Sequence, residues 1–206
     1  LFPVPSDVIY KSGSNVKNGS VKKTVEVKRI SYVGNLGYYR PFALVEVADV
    51  LRDLHSSIRI EVYGKCKTEE EKALLESHPN IVYKGFVDIN TVTQIVAESD
   101  ILLHVESVKT GTDVKYGFTT KIPDSLSSGN CFFMYAPSYV AGASYLKENV
   151  PEAVACNKEE LRSKLGRLLC DNDLRYSIIE RELNLANRNH NAQTISKKIN
   201  NIINGI

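Results

Sequence analysis

The residues best suited to chemistry sit in loops that follow short apolar runs. The fullest example is Ile101 to Pro137, which reads ILLHVESVKTGTDVKYGFTTKIPDSLSSGNCFFMYAP. The apolar run Ile101 to Val105 leads into a polar loop. Gly117-Phe118 then opens a short helical segment that ends at Ser127-Ser128-Gly129. A helix start presents unpaired N–H groups and about half a positive charge, which suits a phosphate. Lys121 and Asp124 fall in the first turns, three residues apart and so on one face. A cation for phosphate and a carboxylate for sugar hydroxyls would make a nucleotide site. The plainer alternative is a local ion pair, worth under ~1 kcal/mol where exposed. Tyr116, Thr119 and Thr120 either offer hydroxyls to a ligand or cap the helix. His104 and Glu106 close the preceding strand, where parallel sheets carry reactive groups; a satisfied polar contact is the alternative.

Three further loops have the same position after a strand. Gly34-Asn35-Leu36-Gly37-Tyr38-Tyr39-Arg40-Pro41 carries two glycines, which permit a tight turn and close approach to a ligand. Arg40 can clamp a phosphate through charge-assisted hydrogen bonds, or simply face solvent beyond an ordinary turn. The pattern is neither GxGxxG nor a P-loop. Lys65, after Tyr63-Gly64, either approaches the ligand or is a surface lysine. Phe86 and Val87 either line a base pocket or, for Phe86, join the core. No Ser-His-Asp or Cys-His arrangement is legible, and no second carboxylate lies close enough in sequence for paired acid–base work.

The elements that must position these loops alternate. Apolar runs at 29–34, 58–63, 81–85, 101–105, 131–135 and 153–155 read as six strands. Helical spacing follows Pro41, Thr68 (with Glu71 in capping-box register), Asn90, the 117–129 segment and Tyr139. After Lys158 the chain reads as helix to its end. Such alternation implies an α/β fold: a doubly wound, Rossmann-like parallel sheet of about six strands, with ligands bound at the carboxyl ends of the strands. Residues 1–28, with Pro3, Pro5 and a Gly/Ser/Asn/Lys stretch, read as a linker or partly ordered arm. Residues 29–173 read as the sheet domain and 174–206 as closing helices.

Composition narrows the function classes. The chain has 206 residues, 43% hydrophobic and 24% charged, with a formal net charge of +2. That suits one soluble domain and gives no field favouring nucleic acid or a membrane. The expected location is the cytoplasm, or the membrane periphery within a longer parent. No apolar stretch approaches ~18 residues, so no membrane span is expected. The four cysteines form no CxxC pair and read as buried free thiols; the four histidines show no metal-ligand spacing. The chain opens on Leu1 and is expected to be a piece of a longer protein.

Taken in order, ISYVGNL with Arg40, IEVYGK, NIVYKGFV, ESDILLHVES, the KYGFTTKIPDSLSSGNCFFMYAP block and KEELRSKLGRLLCDNDLR form a distributed pattern. Over residues 29–206 it resembles the C-terminal, donor-binding domain of retaining GT-B glycosyltransferases of the "glycosyltransferases group 1" type. The resemblance implies one half of a GT-B fold, with a nucleotide diphosphate sugar as donor and no metal or other cofactor. It also implies that a missing N-terminal domain holds the acceptor, so this piece alone would transfer no sugar. The family's Glu-x7-Glu signature, set on Gly117-Phe118, falls on Tyr116 and Asp124. Asp124 keeps a carboxylate, which in relatives holds the ribose; Tyr116 replaces the glutamate that contacts the transferred sugar. Glu106 is a candidate substitute. The family's basic pair falls on Asn35 and Arg40, with Lys121 a candidate for the missing cation. Arg40 and Lys121 would then stabilise the leaving diphosphate, assisted by N–H groups around Phe118 to Thr120. Gly34, Asn35, Leu36, Gly37, Lys65, Phe86, Val87, Glu106, Tyr116, Gly117, Phe118, Thr119, Thr120 and Asp124 would line the donor. Helices after Asp173 would pack on the N-terminal domain and, without it, expose apolar surface able to drive self-association. Two other readings share the fold: a non-catalytic assembly module with a degenerate transferase domain, and half of a sugar-nucleotide epimerase.

Overall fold

The structure, a computed structural model, describes residues 26–109, 115–116, 118–203 and 205. Most of the predicted arm and Gly117 therefore lie outside the described residues. The strands are β1 (Ile30–Val33), β2 (Ile60–Tyr63), β3 (Ile81–Gly85), β4 (Ile101–Val105), β5 (Cys131–Tyr135) and β6 (Val154–Ala155). The helices are α1 (Arg40–Asp53), α2 (Glu69–Glu76), α3 (Ile89–Glu98), α4 (Lys121–Leu126), α5 (Ala141–Asn149), α6 (Lys158–Cys170), α7 (Asn172–Asn189) and α8 (Ala192–Ile203). A 3-10 turn, Pro151–Ala153, precedes β6.

All strand pairs are parallel, and the order is β3-β2-β1-β4-β5-β6. The expected doubly wound sheet is thus present. Every residue of β4 and β5 is buried, as strands covered on both faces require. The edge strand β3 is only partly covered, and Lys84 lies exposed on it. The chain builds leftward from β1 through β3, crosses over, and builds rightward from β4. Right-handed crossovers then put α1 and α2 on one face and α4 and α5 on the other. The order reverses between β1 and β4, whose registers match Ile30 to Ile101.

Local signals explain the helices. Thr68 caps α2 by accepting from the Glu71 N–H, and Glu71 reaches back to the Lys67 N–H. Asp88 caps α3, Asn157 caps α6 and Asp171 caps α7 through their side chains. Helix α1 has proline in its first turn and buries Ala43, Leu44, Val47, Ala48 and Leu51, spaced to make one apolar stripe. It packs against α2 and α6, while α7 covers β5 and meets α4.

Several expectations need correction. Val27 is packed in the core, and the Asp100 carboxylate accepts from the Lys28 and Arg29 N–H groups. Organised chain therefore starts before Arg29. Residues 118–120 are not helical, and α4 begins at Lys121. All four cysteines are free, but only Cys131 is fully buried and Cys170 is exposed.

Candidate functional site

At the reversal point between β1 and β4, residues from three loops converge. Arg40 comes from the loop after β1 that opens α1. His104 and Glu106 come from the end of β4, and Lys121 from the start of α4. The Glu106 side chain is buried and receives the Arg40 guanidinium side-on. Nε donates to Oε2 at 3.1 Å, and Nη2 to Oε1 and Oε2 at 3.0 and 2.9 Å. Arg40 Nη1 also donates to the Asn35 carbonyl at 3.2 Å. His104 Nε2 lies 3.0 Å from Glu106 Oε1. Lys121 Nζ reaches back across the loop to the Val33 carbonyl at 3.1 Å. The sequence offered Lys121 and Asp124 as one helix face, but the lysine amine crosses to β1.

Charge in this cluster follows from burial. Burial pushes the Glu106 carboxyl upward, but the His104 hydrogen bond and the Arg40 charge outweigh it and hold the group below the usual carboxylate range. Burial lowers His104 and outweighs the Glu106 hydrogen bond and charge, which raise it; Arg40 and Lys121 add repulsion, so the imidazole is neutral. With Glu106 ionised, Nε2 must carry the proton and donate. Burial, then the neighbouring Arg40 charge, brings Lys121 down to about 8. One carboxylate thus faces two basic groups, and the balance favours an anionic ligand.

The loop after β1 is built differently from the glycine-based turn expected. Neither Gly34 nor Gly37 has a positive φ. The left-handed positions are Tyr38 (φ 58°) and Tyr39 (φ 59°). Side chains there cost about 1–3 kcal/mol each, strain that recurs at binding sites. Both rings are largely exposed: Arg40 lies 5.5 Å from the Tyr38 centroid, and Lys109 Nζ 4.5 Å from that of Tyr39. Asn35 Oδ1 accepts from the Gly37 N–H at 2.6 Å, and its carbonyl accepts from the Tyr32 hydroxyl at 2.7 Å. Gly34 leaves room for the Lys121 amine: a Cβ there would meet Nζ, the flexible end of that side chain, and displace it. Gly64 lets the next loop approach, because a Cβ there would meet the Gly34 carbonyl.

The remaining predicted residues divide. Leu36 is wholly buried, so its side chain is core and cannot touch a ligand. Asn35 serves the loop's own hydrogen bonds through Oδ1 and its carbonyl. Lys65 is exposed after β2. Phe86 is 80% exposed, which excludes it from the core, and Val87 is half-buried beside it. Tyr116 is 84% exposed, with Lys115 Nζ 5.3 Å from its ring. Phe118 turns from the cluster to pack edge-on against Tyr145 and stack on His190, at 5.3 and 5.8 Å between centroids. Thr119 Oγ1 accepts from the Lys121 N–H, and the Thr120 carbonyl from the Asp124 N–H. Asp124 is half-buried in the first turn of α4. Sequence reasoning missed Tyr32, whose hydroxyl pins the loop. A tyrosine two residues before Gly34 in a strand was the available signal.

The six-stranded parallel sheet, with a basic cluster at its strand-order reversal, places the chain among Rossmann-like α/β folds, in which ligands bind at that reversal. A family model narrows the class: the family described as glycosyl transferase-like matches residues 42–201, and the chain belongs to it. No curated protein matches. Among solved structures, the chain resembles WaaG, a glycosyltransferase involved in lipopolysaccharide biosynthesis. That match has 17% identity and a TM-score of 0.66, and covers 100% of this chain and 56% of that one. It also resembles the trehalose-6-phosphate structure from E. coli bound with UDP-2-fluoro glucose, with 15% identity, TM-score 0.63, and 85% and 44% of the chains covered. Anabaena HepE in complex with UDP-glucose gives 14%, 0.63, and 86% and 48%. The chain thus spans about half the length of these proteins. Among the described residues, no helix is long and apolar enough to cross a membrane.

Proposed function

We propose that this chain is the donor-binding half of a retaining GT-B glycosyltransferase, holding a nucleotide diphosphate sugar across the carboxyl ends of β1 and β4. The supporting observation is that Arg40 and Lys121 meet at the sheet's reversal point, where a buried carboxylate offsets only one of two basic groups. Both cations face the position of the leaving diphosphate and offset the charge that develops on it. Asp124 accepts from the ribose hydroxyls, and Phe86 and Val87 contact the base. The reaction uses no metal or cofactor besides the donor. The acceptor is held by a domain outside this chain. Exposed Ile202 and Ile203 on α8 give that domain, or a second copy, an apolar contact.

Calorimetry with UDP, GDP and ADP, and with their sugars, tests the reading. One nucleotide should bind, and Asp124→Ala should lose ~1–3 kcal/mol of affinity. Binding of none defeats the proposal. Exposed Tyr116, standing where the family has its first glutamate, favours a second reading as a binding module without transfer. Sugar release from a bound donor in the full-length protein distinguishes the two.

A further inference from the structure

We infer that Glu106, backed by His104, is a positioning residue that aims Arg40 at the donor diphosphate, and not a ligand of the transferred sugar. The inference rests on the function proposed above. Both oxygens of Glu106 are occupied. Oε2 accepts from Arg40 Nε and Nη2, and Oε1 from Arg40 Nη2 and His104 Nε2. With the side chain 3% exposed, a sugar hydroxyl has no open oxygen to reach.

Arg40 is held on two sides. Glu106 grips the edge formed by Nε and Nη2, and the Asn35 carbonyl takes a bond from Nη1. The guanidinium carries five N–H donors in a rigid planar fork. Fixing one edge and one corner leaves the outer N–H groups to a phosphate, in an orientation already set. The side chain then loses little further freedom when the ligand arrives, which is the usual benefit of preorganisation. The Asn35 carbonyl is itself pinned by the Tyr32 hydroxyl, and Tyr32 is buried in the core. His104 completes the support from β4, with its ring against Phe132 at 6.4 Å between centroids. Rigid strands therefore hold both residues that hold Arg40.

Two expectations for Glu106 are opposed, which makes the test decisive. If its charge alone mattered, neutralising it would strengthen diphosphate binding. If it aims Arg40, neutralising it weakens binding. The experiment titrates UDP, GDP and ADP, and the corresponding nucleosides, into the full-length protein and its variants. Glu106→Gln should weaken the bound diphosphate by about tenfold or more and leave its nucleoside unchanged. Arg40→Lys, which keeps the charge and loses the fork, should show the same selective loss. The double variant should lose no more than either single one. His104→Phe provides a second route should Glu106→Gln fold poorly, with a several-fold loss confined to the diphosphate. Equal or tighter nucleotide binding in Glu106→Gln overturns the inference, as does a loss seen only with the nucleotide sugar. No nucleotide binding in the unaltered protein defeats the donor reading itself.

Discussion

Glu106 and Glu182 are the two most deeply buried carboxylates among the described residues, and their surroundings drive them in opposite directions. Glu106 stands at the carboxyl end of β4, and Glu182 on α7 lies against β5. Burial pushes both upward. Glu106 meets a guanidinium and an imidazole N–H and is held below its usual range. Glu182 is 1% exposed; its Oε2 accepts from the Phe132 N–H at 3.1 Å, and Oε1 has no hydrogen-bond partner among the described residues. Burial therefore raises it well above the usual value, and the Phe132 bond and the Arg181 charge only partly oppose this. A buried acid is not a site by virtue of burial. One kept ionised by a matched fork and a neutral histidine, at the reversal point of the sheet, is built to manage charge.

The largest expected effect tests the Arg40–Glu106 pair. Arg40→Ala leaves Glu106 buried without its cation, and should cost ~2–4 kcal/mol in a urea titration, somewhat below a fully buried pair. A midpoint unchanged from the parent would show that the pair contributes nothing to the fold. Next is Glu182. Its folded-state pKa is above the unfolded one, so the native state binds the extra proton. Stability is complete below the unfolded pKa and falls as pH rises towards the folded one, by at most ~1.4 kcal/mol per pH unit. Glu182→Gln keeps an acceptor for Phe132 and should flatten that slope in melts from pH 5 to 9. An unchanged slope would place the proton elsewhere.

Lys121 should produce a smaller, binding-specific effect. Its charged form dominates below pH 8, with Arg40 repelling and Glu106 attracting it, and buried His104 adjacent and neutral. Nucleotide diphosphate affinity should fall about tenfold between pH 7 and 9, and Lys121→Arg should remove the dependence. A flat profile in the unaltered protein would take the amine out of the site. The smallest effect is a control far from the cluster. Thr68→Ala should cost ~1 kcal/mol of stability through the lost α2 cap, with nucleotide affinity unchanged.

Much of the fold was legible in the chain. The runs Ile101 to Val105 and Cys131 to Tyr135 match β4 and β5 residue for residue, because central parallel strands must be apolar throughout. Thr68 with Glu71 marked the start of α2, because capping chemistry is local. The start of α4 was misplaced by a few residues. Gly117-Phe118 looks like a helix opening, yet Phe118 is taken up by Tyr145 and His190, which lie far along the chain. Leu36 looked like a loop residue beside a ligand, and packing drew it into the core.

The site divides in the same way. By itself the sequence determined which residues follow the strands, since alternation and capping depend on neighbours a few positions apart. It could name Arg40, Glu106 and Lys121 as candidates. Only the tertiary structure decided that Glu106 faces Arg40 across 66 positions and that Lys121 reaches Val33 across 88. Strand order sets those meetings, and no local preference encodes strand order. The partner each charge meets, and hence whether burial neutralises or preserves it, belongs to the folded molecule alone.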